Sequence, residues 1–409
     1  MGAQRSDLTN MRLLLSAFWC QPGSGGEPHV GWQALLAAAE HYEVWVLTHA
    51  ANVETLRHEL NTACLQGRVH LEGVSLGSQA DRLRYADSLR FHWYHDRWQR
   101  RAGERARQLD RTLNFDLVHH VTLAAYWTRA GAATLDKPLV WGPVGGGVEL
   151  PLSLLGELGA AGTAEFLSRR IGRRMLARYP PVAELPRRAA VTLVPNQETA
   201  AAIGPARTVR VVPQATCARV VQIRPEPKRS RELAFIGRLV PWKAARLAVR
   251  ALRHLRHREA VLHIYGDGPD RQRVLVAARR WGLEHRVAFQ GRLPHADLHT
   301  RLARAAALVH PALHEESGLA VAEALSLGTP VVCLDRGGPR ELIRHWPTSP
   351  AATVQAGGAQ VTARRLAAAV DRFLDDPPPI PPTPLAPTTS FAEALQEAYS
   401  KALLMGVPR

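Results

Sequence analysis

PALHEESGLAVAEALSLGTPVVCLDRGGP runs from Pro311 to Pro339. It follows the apolar run AALVH and contains a second such run, TPVVCLD, with the helix-forming segment LAVAEALSLG between them. Strand, helix, strand over so few residues is the pattern of a βαβ unit in a parallel sheet. Ser317 is expected as the helix N-cap. The amides of Gly318 and Leu319 would then point outward, unpaired, at the positive end of the helix dipole, which is an anion site. Glu323 lies one to two turns further in, about 8 Å along the axis at ~1.5 Å per residue. That is about the reach from a diphosphate to its ribose, whose vicinal hydroxyls a carboxylate accepts well. Glu315, on the loop side, could accept from sugar hydroxyls. The plainer alternative is a pair of solvated glutamates.

Working outward, ELAFIGRL, AVLHIYG and VAFQG read as further strands, with KAARLAVRALRHL, DRQRVLVAARRWGL and ADLHTRLARAA as helices between them. FIGRLVPWKAA places Arg238 and Lys243 just beyond a strand, where two cations can converge on a diphosphate. IYGDGP reads as a structural turn. The first half repeats the alternation with MRLLLSAFW, EVWVLTH, FDLVHHVT, PLVWGPV and AVTLVPN. Two such series predict an α/β protein of two Rossmann-like doubly wound domains, residues 1–215 and 216–387, facing across a cleft lined by strand carboxyl ends. PPPIPPTPLAP (Pro377–Pro387) cannot be helical. The amphipathic stretch beyond it, about 388–405, is expected to dock back on the first domain.

The 409 residues, 46% of them apolar, suffice for two cores. No apolar run approaches the ~18 residues of a spanning helix. LLLSAFW is too short for a signal core and reads as a buried strand; the opening MGAQRS fits a myristoylation pattern only as chance would allow. Four scattered cysteines argue against a disulfide framework or zinc site and for a reducing, cytoplasmic setting. The formal charge is +16, and the only lysines are Lys137, Lys228, Lys243 and Lys401. So strong an arginine skew looks like coding bias, which weakens any step from charge to nucleic acid. It still favours anionic partners such as phosphates or a lipid surface. RFHWYHDRWQRRAGERAR and FLSRRIGRRMLAR could rest on the inner face of an anionic membrane, or be solvated helix faces.

GRLVPWKA, IYGDGP, FQGRLP and HPALHEESGLAVAEALSLGTPVVCLDRGGP, in that order, resemble glycosyltransferase family 4, with the GT-B fold. GSGGEPHVGW, HHVT and PLVWGPVGGGVELP in the first half resemble a bacterial branch of that family. The resemblance implies a retaining, metal-independent transfer of a hexose-type sugar from a nucleoside diphosphate sugar, UDP- or GDP-linked, to a hydroxyl acceptor. No cofactor is implied, since the sugar nucleotide is a substrate, and no Asp-x-Asp occurs in the chain. By motif, Arg238, Lys243, Ser317, Gly318 and Leu319 would hold the donor diphosphate. Glu323 would bind ribose, Glu315 the donor sugar, and Arg292 and Leu293 would lie near the base. Two positions depart from the family pattern: Ala244 stands for the usual glycine after Lys243, and Ser317 for a phenylalanine.

In the first half, Gly25, Gly26, Glu27 and Trp32 would serve the acceptor or phosphate side, with Gly145 and Gly146 as a glycine-lined floor; a bare turn is the alternative for either loop. His119 and His120 stand where the family often shows His-x-His, one ring near the donor sugar. Strand alternation sends the two to opposite faces, with a slight preference for His119. Within the fold, a phosphorylase or a pseudo-glycosyltransferase coupling enzyme remains open. A basic nucleic-acid binder is the distant rival, without an aromatic RNA-binding signature to support it.

Overall fold

The structure, a computed structural model, describes residues 11–22, 26–65, 67–85, 88–214, 231–379 and 385–407. Gly25, the first ten residues and residues 380–384 of the proline-rich connector lie outside these. The chain divides into two units. The first comprises Met1–Gly147, Ile171–Cys217 and Ser390–Arg409; the second comprises Val148–Arg170 and Ala218–Thr389. Residues 148–170 thus group with the second unit although the chain reaches them from the first.

The first unit is built on β1 (Arg12–Ala17), β2 (Glu43–His49), β3 (Val69–Val74), β4 (Leu117–Thr122), β5 (Leu139–Trp141), β6 (Val191–Val194) and β7 (Val209–Val211). Their order is β3-β2-β1-β4-β5-β6-β7, with every described pairing parallel. β1 reads RLLLSA and is buried from Leu13 onward, because a parallel sheet is covered on both faces. Helix α1 (Glu27–Ala39) covers one face, and the long α2 (Ser88–Leu113) belongs to the other.

The terminal helix Phe391–Met405 completes the first unit. Ser390 and Glu393 form a reciprocal capping box at its start. Its buried side chains Leu395, Ala398, Tyr399 and Ala402 join the core beneath α1, and Gln396 donates to the Ala37 carbonyl at 2.6 Å. This is how a helix following a stiff connector returns to the first domain.

The second unit holds β8 (Glu232–Ile236), β9 (Val261–Tyr265), β10 (Val287–Gly291), β11 (Ala307–His310), β12 (Val331–Leu334) and β13 (Ala351–Val354). Its order is β10-β9-β8-β11-β12-β13, again parallel. Helices α3 (Ala245–Leu252), α4 (His295–Arg304), α5 (Leu319–Ser326) and α6 (Gly337–His345) connect these strands. In each unit the chain runs outward from the first strand, then returns to its other side. The switch points fall between β1 and β4 and between β8 and β11, and it is beyond the strand ends there that open α/β sheets bind ligands. Both units are the Rossmann-like domains of a GT-B fold.

Tyr399 ties the terminal helix to β4: its hydroxyl lies 2.8 Å from His119 Nδ1, with both residues fully buried. Tyr399→Phe should strand one imidazole nitrogen without a partner and cost about 1–3 kcal/mol. Urea unfolding would read this as a lower midpoint with an unchanged slope; an unchanged midpoint would mean the contact contributes nothing.

Candidate functional site

At the switch point of the second unit, the loop after β8 carries Arg238 and Lys243, and the loop after β11 carries His314–Ser317. The Leu313 N–H donates to the Trp242 carbonyl at 2.8 Å, fastening one loop to the other. Lys243 Nζ pairs with Glu315 Oε2. His310 Nε2, at the end of β11, stands 3.4 Å from the same oxygen. The other oxygen, Oε1, accepts the Gly318 N–H at 3.1 Å. Burial alone would raise the Glu315 pKa, but His310 and Lys243 outweigh it and hold the carboxyl well below the usual carboxylate range. Glu315 is therefore ionised throughout the physiological range.

Two expectations change here. Ser317 is not the N-cap. That position belongs to Gly318, in the left-handed region at φ 77°, and its carbonyl receives the Val321 and Ala322 N–H groups at 2.9 and 3.0 Å. Three bonds now do what a serine hydroxyl would have done, because the loop carboxylate of Glu315 folds back onto the Gly318 amide. That amide is consequently already engaged, and Lys243 meets a carboxylate of its own chain. Among the described residues, the N–H groups of Leu319 and Ala320 have no partner. The positive end of α5 still faces outward at Leu319, one residue later than Ser317 would have set it.

Arg238 is exposed and its guanidinium has no partner among the described residues. Arg292 and Leu293 occupy the loop between β10 and α4, the first exposed and the second half-buried. That loop is anchored beside the β8 exit, since Gly266 N–H bonds the Gly291 carbonyl at 2.7 Å and Gly237 N–H bonds the Tyr265 carbonyl at 3.0 Å. IYGDGP is thus structural: a Cβ on Gly266 would fall 2.0 Å from the Gly237 oxygen. Glu323 emerges on α5 with its side chain 11% exposed, 3.5 Å from His299 Nε2 of α4.

The glycines of RGGP, which the sequence reading left without a role, shape the loop. The Gly338 N–H donates to the Glu315 carbonyl at 3.1 Å. A Cβ on Gly338 would lie 2.4 Å from the Glu316 oxygen, and one on Gly337 would lie 2.4 Å from the Glu315 oxygen. Residues 148–149 press from the other side: His314 Nδ1 lies 2.6 Å from the Val148 carbonyl, Glu316 accepts the Val148 N–H at 3.0 Å, and Arg336 reaches the Glu149 carbonyl. His310 is the other missed residue; its signal was a lone polar side chain closing an apolar strand.

In the first unit the two histidines part as alternation requires. His119 is fully buried with both ring nitrogens taken, Nδ1 by Tyr399 and Nε2 by the Gly142 carbonyl at 2.7 Å. The slight preference for His119 as the donor-facing ring is therefore reversed: no nitrogen of it is left for a substrate. His120, equally buried, has Nδ1 3.2 Å from Ser16 Oγ and an Nε2 without a partner among the described residues. Trp32 is a core residue, 8% exposed, rather than part of an open floor. Glu27 accepts the Leu123 N–H at 3.0 Å, and so links the start of α1 to the end of β4 across the first switch point. Gly26 precedes α1 and is exposed. Gly145 is bound to the Ala124 carbonyl at 2.8 Å and faces open space; Gly146 packs on Trp127, whose ring a Cβ would overlap.

Parts of the chain match known proteins. Residues 219–384 match the family described as glycosyl transferases group 1. A 2-deoxystreptamine glucosyltransferase of Streptomyces kanamyceticus is 33% identical over 150 residues, 36% of this chain and 37% of that protein. A glycogen synthase of Mycobacterium tuberculosis is 36% identical over 148 residues, 36% of this chain and 34% of that protein. The chain therefore matches about a third of the length of these curated relatives. Among solved structures, the Anabaena protein HepE in complex with UDP is 17% identical, with 97% of each chain covered and a TM-score of 0.54. Sucrose-phosphate synthase from Thermosynechococcus elongatus gives 17%, the same coverage and 0.58. At such identity these two share the fold.

Gly338→Ala should lower the melting temperature by several degrees, because backbone rather than a movable side chain fills the space a methyl would need; an unchanged melt would mean that the loop has room. A second expectation concerns acid. Burial lowers the pKa values of His119 to about 4 and of His120 and His95 to about 3. Each ring is neutral when folded but protonates near pH 6.5 when unfolded. The unfolded chain then binds more protons, so stability is full above pH 6.5 and falls below it, by up to about 1.4 kcal/mol per pH unit per ring, down to about pH 4 for His119 and about pH 3 for His120 and His95. Chemical denaturation at pH 7 and pH 5 should show it; equal stability at both would place these rings in contact with water.

Proposed function

We propose that this chain is a retaining, metal-independent glycosyltransferase that moves a hexose-type sugar from a nucleoside diphosphate sugar to a hydroxyl acceptor. The observation that carries the reading is the group at the second switch point. The exposed cation Arg238, the Lys243–Glu315 pair and the outward N–H groups of Leu319 and Ala320 meet within one loop system, where an open α/β sheet takes its ligand. Lys243 and Arg238 would hold the diphosphate, helped by the α5 amides. Glu323 would accept the ribose hydroxyls, and the 292–293 loop would border the base.

The chemistry follows from where charge develops. The bond from the anomeric carbon to the β-phosphate oxygen breaks, and its electron pair stays on the diphosphate. Lys243, Arg238 and the helix start stabilise that growing charge. The acceptor oxygen bonds the anomeric carbon on the face the phosphate leaves, and its proton passes to the departing phosphate oxygen. A substrate phosphate would compete with Glu315 for Lys243. The carboxylate, permanently charged and still bonded to Gly318, would then be turned toward sugar hydroxyls.

The names of the relatives bear on donor and acceptor. One structural neighbour is described with UDP. A Mycolicibacterium smegmatis relative, 40% identical over 115 residues and 27% of each chain, is named as GDP-mannose-dependent. UDP and GDP are thus the donors to test first. No helix of the described residues is long and apolar enough to cross a membrane. The helix Gly159–Leu176 buries none of its side chains and exposes Leu167, Ile171 and Met175, four residues apart, among arginines. Peripheral contact with an anionic bilayer, in a cytoplasmic setting, fits that face.

A thermal-shift panel of UDP, GDP, TDP and ADP should give stabilisation by one of them. Glu323→Ala should weaken that nucleotide by about tenfold or more, the loss expected for charge-assisted hydrogen bonds to two hydroxyls. Free nucleoside diphosphate should appear only when sugar donor and acceptor are both present. Release with inorganic phosphate instead would turn the reading to a phosphorylase. No response to any nucleotide would end it.

A further inference from the structure

Glu323 has a second set of neighbours that ribose binding does not explain. Helix α4 carries His295 and His299 one turn apart, on one face by the i, i+4 rule. A ligating atom from each, together with a Glu323 carboxylate oxygen, falls within 4.8 Å of the other two. His299 is 6% exposed. Its Nε2 is buried, lacks a hydrogen-bond partner among the described residues, and stands 3.5 Å from Glu323 Oε1. A buried ring nitrogen aimed at a carboxylate but bonded to nothing is costly, so it needs an explanation.

A metal ion supplies one. With Zn–N and Zn–O bonds of about 2.0–2.2 Å, two ligands of a tetrahedral ion lie about 3.4 Å apart, close to the His299–Glu323 separation. His295 is exposed, so its ring is free to turn the remaining distance. Two imidazoles and one carboxylate suit zinc, nickel or copper rather than magnesium or calcium, and leave a coordination position for water. Helical His-x3-His presents both rings with little chain entropy to lose. This donor set has no part in the phosphate chemistry at Lys243, and it shares only Glu323 with the nucleotide site.

We propose that His295, His299 and Glu323 form a binding site for a divalent transition-metal ion, which competes with the donor ribose for Glu323. The competition rests on the ribose reading above; the site does not. Metal and sugar nucleotide would then be mutually exclusive ligands, with zinc acting as an inhibitor of donor binding.

The test uses the full chain without a histidine tag, stripped with chelator. Cobalt(II) titration followed by ligand-field absorption, with zinc titration by calorimetry, should show one equivalent bound. His295→Ala and His299→Ala should each reduce affinity by at least about tenfold, no less than the loss of an outer-shell partner causes. His295 is exposed, so its variant should fold normally and keeps the test decisive if His299→Ala does not. Zinc should raise the apparent Kd of the stabilising nucleoside diphosphate for the parent chain, and not for His295→Ala. No stoichiometric binding, or binding that survives both histidine variants, overturns the site. Zinc that binds yet leaves nucleotide affinity unaltered overturns the competition. Glu323→Gln measured with nucleotide in chelator separates the two readings: a weakened nucleotide supports the ribose role whatever the metal does.

Discussion

Glu315 is a charged carboxylate that has been taken almost wholly out of water, and the loops around it are arranged to make that tolerable. Isolated, such a charge would cost several kcal/mol. It persists because partners from three places converge on it: Lys243 from the β8 exit, His310 from the end of β11, and the Gly318 amide at the head of α5. Its own backbone carbonyl is held in turn by Gly338. Three stretches of chain, the β8 exit, residues 310–318 and the start of α6, are thereby fixed around one group. The positions of Lys243 and of the first free amides of α5 follow from that constraint, and so does the shape of any anion that could replace Glu315 at Lys243.

The same logic separates the two histidines of β4. Neighbours in sequence point to opposite faces of the sheet, and what covers each face decides its fate. His119 faces the terminal helix and the Gly142 carbonyl, and both of its nitrogens are consumed in holding them. His120 faces Ser16 and the α2 side, where only one nitrogen finds a partner. One histidine is therefore a structural tie between β4 and the terminal helix, and its neighbour keeps an unsatisfied group beside the first switch point. In the second unit His310 and His299 each bring an imidazole against one of the two glutamates.

Close packing of backbone accounts for the glycines better than flexibility does. Gly338 and Gly266 are small because another chain segment's carbonyl stands where a Cβ would be. In the first unit Gly146 leaves room for an indole ring instead. The loops they permit carry side chains to the strand ends without long excursions.

Much of this was legible in the sequence. Strand and helix alternation, read from apolar runs and their spacing, depends on local periodicity, and it yields two parallel sheets and a terminal helix without any knowledge of contacts. Arg238, Lys243 and Glu315 just past strand ends, and Glu323 within the helix that follows, could be singled out from the helix-start context and from motifs that resemble a known family. What a linear reading could not supply was partnership. That Glu315 rather than Ser317 closes the start of α5 depends on a loop folding back. That His119 is spent on Tyr399 depends on a contact across 280 positions. That Trp32 is core, and that His299 faces Glu323, depends on which helix lies against which. Periodicity is written in neighbours along the chain, whereas pairing of buried polar groups is settled only when desolvation forces each to find a partner in space.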